Sequence, residues 1–303
     1  YALTDSDGVV TVEGASADNW NVHVQIGETT ATVTLKDATV INTEVAHAVS
    51  VNGYDLDIVL EGTNNQIGTD KNAYGYAVYS GSGGDVSISG SGDLKLKGGY
   101  GININGSLGD VSIDIEGALK MESKWQMVFT GGNLAVRAKS INLEGYYVIC
   151  DEASLAATDG DVVVVGHGDE GIRYGSASGE NLTISAPQGS VSLSAEKYAV
   201  YGDEYNSANI SAKYDVSITG TVKSGAVSIR SETGKIIING FYQAISNART
   251  CESLSAPLGD VNLRTCKMYD IIISWNGYGL TVIAGEILDV QSANVISGYG
   301  TAD

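Results

Sequence analysis

The chain has 303 residues, with 39 glycines, 2 prolines, 17 tyrosines and 3 cysteines, and a net charge of −19 from 36 acidic against 17 basic side chains. That acidic excess argues against nucleic acid as a partner, because a polyanion is repelled, and leaves divalent cations and solubility as its two readings. There is no apolar run of membrane-spanning length, and three cysteines without metal-ligand spacing argue against a disulfide framework and a zinc site. The chain starts at Tyr1 with no leader pattern, as expected of a processed or trimmed chain.

Taken in order, short runs of alternating apolar residues cover 20–26, 31–35, 38–42, 47–51, 56–60 and 75–79. The stretch 84–132 sets the period. GDVSIS, DLKLKG and GYGININ are followed by GDVSIDI, ALKMES and WQMVFTGG. Val86, Leu94 and Ile102 are answered by Val111, Leu119 and Met127, and 111−86, 119−94 and 127−102 are each 25. A fixed period of that length, with strands and no helix signal between them, predicts a β-solenoid.

The runs continue at 134–138, 140–145, 146–150, 161–165, 171–174, 182–185, 190–194, 198–201, 209–212, 215–219 and 226–230. The last are 235–239, 243–246, 254–256, 260–264, 269–274, 280–284, 286–290 and 294–297. Strands so short and without crossover helices cannot build a doubly wound sheet, but coiling lets each strand pair with the one a turn later. The expected fold is all-β: a single-stranded, right-handed parallel β-helix of about eleven rungs, three short strands to a rung, in one domain over 1–303. The chain ends carry little that would cap a solenoid edge, so flanking segments of a larger protein are expected.

Strand alternation assigns the faces. Val86 and Ile88 point inward and Ser87 and Ser89 outward, as do Val216 and Ile218 against Ser217 and Thr219. DVVVV at 161–165 is apolar on both faces. Cys150 reads as a small core residue, and a Cys251–Cys266 bridge is left open.

VTLKDATV (33–40), DLDIVLEGTN (55–64), YAVYS (76–80) and VSISGSGDLKLKG (86–98) resemble a family of secreted, carbohydrate-binding parallel β-helix proteins from largely clostridial Gram-positive anaerobes. The resemblance is best over 30–105. It implies a fold similar to that of polysaccharide lyases, calcium as cofactor, and an acidic plant polysaccharide such as polygalacturonate as ligand.

Candidate sites follow from position in the lattice. Two residues before Val78, Ile102, Met127, Val148, Val200 and Ile271 stand Tyr76, Tyr100, Trp125, Tyr146, Tyr198 and Tyr269. Their parity matches the inward valines, so this ladder is expected to fill a turn of the coil, with a sugar-stacking platform as the alternative. Tyr79, Tyr174 and Tyr201 are assigned the opposite parity and are expected to face outward as a carbohydrate platform, with Arg173 beside them. Asp151, Glu152, Asp159, Asp161, His167, Asp169 and Glu170 form the densest acidic stretch. Asp151–Glu152 and Asp203–Glu204 follow Val148 and Val200 at equal spacing, which places both pairs at one corner. Asp151, Glu152, Asp161, Asp169, Glu170, Asp203 and Glu204 are therefore the candidate calcium ligands, since calcium takes several hard oxygens. The competing reading is solvated turn acids, which also covers the Gly-Asp pairs at Asp85, Asp93, Asp110, Asp161 and Asp260.

No catalytic residue is assigned. Gly166-His167-Gly168 with Arg173 resembles one polygalacturonase trait, yet a glycosidase needs two positioned carboxylates and the other blocks are missing. The arginines a lyase needs as a base (Arg137, Arg173, Arg230, Arg249, Arg264) are scattered. The expected function is thus a non-catalytic extracellular or cell-surface protein binding polysaccharide, an acidic plant glycan through calcium. The alternatives are a structural stalk or adhesin module, and a polysaccharide lyase or hydrolase.

Overall fold

A computed structural model describes residues 2–5, 8–12, 22–42, 47–69, 74–105, 109–175, 179–240, 244–246, 250–265, 282–284 and 288–291. Among the described residues every regular element is a strand, and none is a helix long and apolar enough to cross a membrane. The strands stack as the expected parallel β-helix. The expected runs 269–274 and 294–297, with Tyr269 and Cys266, lie outside the described residues, as does the side chain of Cys251. Two compact units divide at Cys150 and Asp151.

In the first unit each turn carries three strands. The first-strand column runs Thr30–Lys36, Asp55–Glu61, Val86–Gly90, Val111–Ile115 and Leu134–Ala138, each parallel to the next. Val86 pairs with Val111 and Leu94 with Leu119, the 25-residue step read from the sequence. The third strand departs from it by one residue: Ile102 pairs with Val128 rather than Met127. In Val111–Ile115 buried and exposed positions alternate strictly, so β-branched side chains stack inward and polar ones stand in water.

One second strand was not legible as apolar. Asn64–Thr69 places Asn65 fully inside the coil, opposite Leu94. Its carboxamide accepts the Ala38 N–H at 3.0 Å and donates to the Glu61 carbonyl at 3.1 Å, which satisfies an otherwise costly buried amide.

The first turn has a covered edge, contrary to the expectation of little capping. Val22–Ile26 pairs antiparallel with Thr30–Lys36, and Gly8–Val12 pairs antiparallel with His47–Asn52. Both occupy backbone groups that a parallel coil leaves open at its end.

The second unit repeats the arrangement. Its first-strand column runs Ala153–Ala157, Asn181–Ala186, Ser207–Ala212, Ala226–Ser231, Thr250–Ala256 and Val282–Ala284. Second and third strands fuse here into continuous stretches at Val191–Tyr201 and Val216–Lys223.

Aspartates link the turns in both units. In the first, Oδ1 of Asp55, Asp85, Asp93 and Asp110 accepts the backbone N–H of Asp85, Asp110, Ala118 and Asn133 at 3.0, 2.9, 2.8 and 2.7 Å. In the second, Asp161 and Asp215 do the same for Ser190 and Lys235 at 2.7 and 3.0 Å. The acceptor and the donor lie one turn apart at the same corner, where strand pairing has lapsed. Part of the acidic excess is therefore structural: a carboxylate is a strong acceptor for an N–H that would otherwise have none.

Candidate functional site

The third strand of each turn is where chemistry reaches the surface. A regular strand would bury alternate residues, but Tyr76–Ser80 buries Ala77 and Val78 in succession. The double step puts Tyr76 and Tyr79 on the same outer side. His47–Asn52, with Ala48 and Val49 buried, and Glu170–Tyr174, with Gly171 and Ile172 buried, behave alike. The first residue of each buried pair is small because the next turn's backbone crowds it. A Cβ on Gly101 would meet the Met127 carbonyl, and one on Gly171 the Ala199 carbonyl.

This corrects the inward ladder. Tyr76, Tyr100, Trp125 and Tyr198 are half-buried and Tyr146 is exposed, so none of these rings fills the coil. The signal that could have shown it is the small residue before each valine or isoleucine, in Ala48-Val49, Ala77-Val78, Gly101-Ile102, Gly171-Ile172, Ala199-Val200 and Ala244-Ile245.

In the first unit the outer side of the third strands is aromatic. Tyr76 stacks on Tyr100 with centroids 4.6 Å apart, and His47 lies parallel to Tyr79 at 4.3 Å. Tyr76 also meets His47 and Tyr79, at 5.1 and 5.2 Å. Such pairs add roughly 0.5–1.5 kcal/mol each beyond their buried area. Burial raises the Tyr76 phenol above its ordinary value, with Tyr100 and Tyr79 adding to the shift. Amides sit against the hydroxyls: Asn105 Nδ2 donates to Tyr79 Oη at 3.0 Å, and Gln126 Nε2 to Tyr147 Oη at 2.7 Å. Trp125 leans on Tyr146 at 5.5 Å, and Tyr146 meets Tyr147 edge-on at 6.3 Å. The half-exposed rings thus lie against one another, with amides on the hydroxyls of Tyr79 and Tyr147.

In the second unit the same strand position is charged. Tyr201 pairs with Arg173 on the turn before and with Lys223 on the turn after. The Arg173 guanidinium lies 5.3 Å and the Lys223 ammonium 3.8 Å from the ring centroid. Tyr198 meets Tyr201 edge-on at 5.2 Å. Glu170, paired in register with Tyr198, approaches Arg173 at 3.8 Å. Burial raises the Glu170 carboxyl; Arg173 opposes that, Asp169 adds to it, and Lys223 opposes it.

Of the expected platform, Tyr79 and Tyr201 lie half-exposed on the outer side and Arg173 is exposed beside Tyr201. Tyr174 does not belong to it. It stands two residues after Ile172, not one, so it turns inward and is 1% exposed. Its hydroxyl shares a 2.6 Å hydrogen bond with Ser224 Oγ, and burial pushes the phenol up to about 12.

The candidate calcium ligands are spread over several local roles. Asp161 holds the Ser190 N–H, Asp169 pairs with Lys197, and Glu170 lies by Arg173. Glu152 accepts from Asn181 Nδ2 at 3.1 Å. The Asp151 carbonyl accepts the Gly175 N–H, and the Asp203 carbonyl the Gly225 N–H, at 2.8 and 3.0 Å, each from the following turn. Glu180, which sequence reasoning did not single out, is raised by burial and by nearby Glu152 and Asp151. Among the described residues, no three His, Cys, Asp or Glu side chains lie close enough to hold a metal ion together.

No protein-family model matches this chain, and no curated protein matches it either.

Proposed function

We propose that the protein is a non-catalytic, extracellular polysaccharide-binding β-helix whose binding surface is the aromatic outer side of the first unit's third strands. The observation that carries this reading is the in-register column of half-exposed rings His47, Tyr76 and Tyr100, with Tyr79 packed beside it and bound by the amide of Asn105. Sugars offer apolar C–H faces and many hydroxyls. Half-exposed rings with adjoining hydroxyls and carboxamides match both, and the packed stack loses little freedom on binding. The resemblance of 30–105 to secreted clostridial carbohydrate-binding proteins supports the same reading. Calcium enters it as a bridge between an acidic glycan and a surface of net charge −19, not as a resident ion.

The test is affinity electrophoresis of the full chain through gels of neutral and acidic plant polysaccharides, run with calcium and with EDTA. Retardation by at least one polysaccharide is expected, with Tyr76→Ser/Tyr100→Ser relieving it. Free migration in every gel would defeat the reading. A structural stalk is the second reading, favoured by the aspartate links between turns, and it expects free migration throughout.

A further inference from the structure

The cluster around Tyr201 belongs to the second unit and has a different chemistry from the aromatic surface of the first. Two cations, Arg173 and Lys223, are held against one ring from the neighbouring turns, at 5.3 and 3.8 Å from its centroid. Cation–π contact holds long, flexible side chains in place before any ligand arrives. Lys197, on the same stretch as Tyr201, is paired with Asp169. Among the described residues the carboxylate that approaches Arg173 is Glu170, and at 3.8 Å it is too far for a charge-assisted hydrogen bond. Burial also costs the Glu170 carboxylate, so it competes weakly for the guanidinium. The cluster Arg173, Lys223, Lys197, Glu170 and Asp169 sums to one positive charge, on a chain whose total is −19.

From this geometry we infer that Arg173, Lys223 and Tyr201 form an anion-recognition subsite for a singly charged sugar unit, a uronate carboxylate or a sulfate ester, that needs no calcium. The guanidinium fork supplies parallel N–H donors to two oxygens of the anion, and the ammonium adds a third contact. The half-buried Tyr201 ring stands in register between them, where a sugar ring can meet it. The inference deepens the polysaccharide-binding reading and rests on it for the class of ligand. It adds a second place on the molecule, where an acidic sugar is held by direct contact and not through the bridging ion invoked for the rest of the surface.

Calorimetric titration of the full chain in EDTA tests it, with three probes of equal length: oligogalacturonate, a sulfated oligosaccharide and a neutral oligosaccharide. The wild type is expected to bind oligogalacturonate or the sulfated probe, and preference between them separates carboxylate from sulfate. Arg173→Gln is expected to weaken that binding by about tenfold or more, and Lys223→Gln by a smaller factor. Arg137→Gln removes the same charge from an exposed arginine paired with Asp114 and is expected to leave affinity unchanged. Arg173 is exposed, so its variant should melt with the wild type. Equal losses in Arg173→Gln and Arg137→Gln would reduce the effect to overall charge and overturn the subsite. Binding of anionic probes only with calcium would overturn it as well. Binding of anionic but not neutral probes would keep this subsite while defeating the aromatic surface; the converse result would do the opposite.

Discussion

In Tyr76–Ser80 and in Glu170–Tyr174 the same two central positions are buried, Ala77-Val78 in one and Gly171-Ile172 in the other. The outer positions flank that pair identically, yet one strand shows two tyrosines and the other a glutamate and an arginine. Backbone register decides which residues reach the surface, and the neighbouring turns decide what they become there. Tyr79 meets a parallel His47 and an amide, so it joins a neutral stack. Tyr201 meets two cations, so the same phenol becomes the centre of a charged site. A residue type in a solenoid therefore has no fixed role; the column gives it one.

The strongest way to break this comparison is to charge the shared buried pair. Val78→Asp and Ile172→Asp each bury an unpaired carboxyl and should cost about 3 kcal/mol or more in urea unfolding, whereas Tyr79→Asp should cost only about 1–2 kcal/mol, for the ring contacts and the Asn105 hydrogen bond it loses. Equal losses at 78 and 79 would mean the double inward step is wrong.

The last position of the two strands offers a smaller effect. Ser80 and Tyr174 are both buried, but Tyr174 places a phenol inside the second unit. Tyr174→Phe should cost about 1–1.5 kcal/mol, because the bond to Ser224 is lost while Ser224 still donates to the Asn206 carbonyl at 2.9 Å. The pH dependence has a defined sign. The folded phenol titrates near 12 against an ordinary 10, so between those values the unfolded chain is ionised first and stability falls as pH rises. The wild type should lose more stability than Tyr174→Phe across that window, measured by paired urea melts. A parallel decline in both would show that the phenol is not buried.

Smaller still is the loss of one aspartate link, which both units share. Asp85→Ala and Asp161→Ala each strand an N–H that water partly recovers, for a loss under about 1 kcal/mol. Asn at either position keeps the acceptor oxygen and should recover most of it. If Asn is as damaging as Ala, the carboxylates act by charge rather than as acceptors.

These outcomes bear on what a sequence can reveal of such a fold. The coil itself was legible because one strict spacing, Val86 to Val111 and Leu94 to Leu119, is enforced by in-register pairing of like residues. Asn64–Thr69 was not, since its inward positions include a self-satisfied asparagine instead of an aliphatic residue. The site was half legible. Tyr79, Tyr201 and Arg173 face outward as expected, but period-two counting put Tyr76 inside, and Tyr174 was assigned outward although it stands two residues after buried Ile172. The error at Tyr76 comes from the corner, where a small residue lets the chain bury two positions in succession. The acids were legible as turn residues; their hydrogen bonds to the following turn were not, because a partner a whole turn away leaves no local mark.

The central claim is that the neutral aromatic column binds glycan. It is tested most directly by titrating one retarding neutral polysaccharide into the wild type and into Tyr76→Ser/Tyr100→Ser, with folding of both checked by thermal melting. The account expects saturable binding by the wild type and a loss of about tenfold or more in the variant, from two ring contacts of roughly 1 kcal/mol each. Equal affinity in the two proteins, both folded, would contradict it.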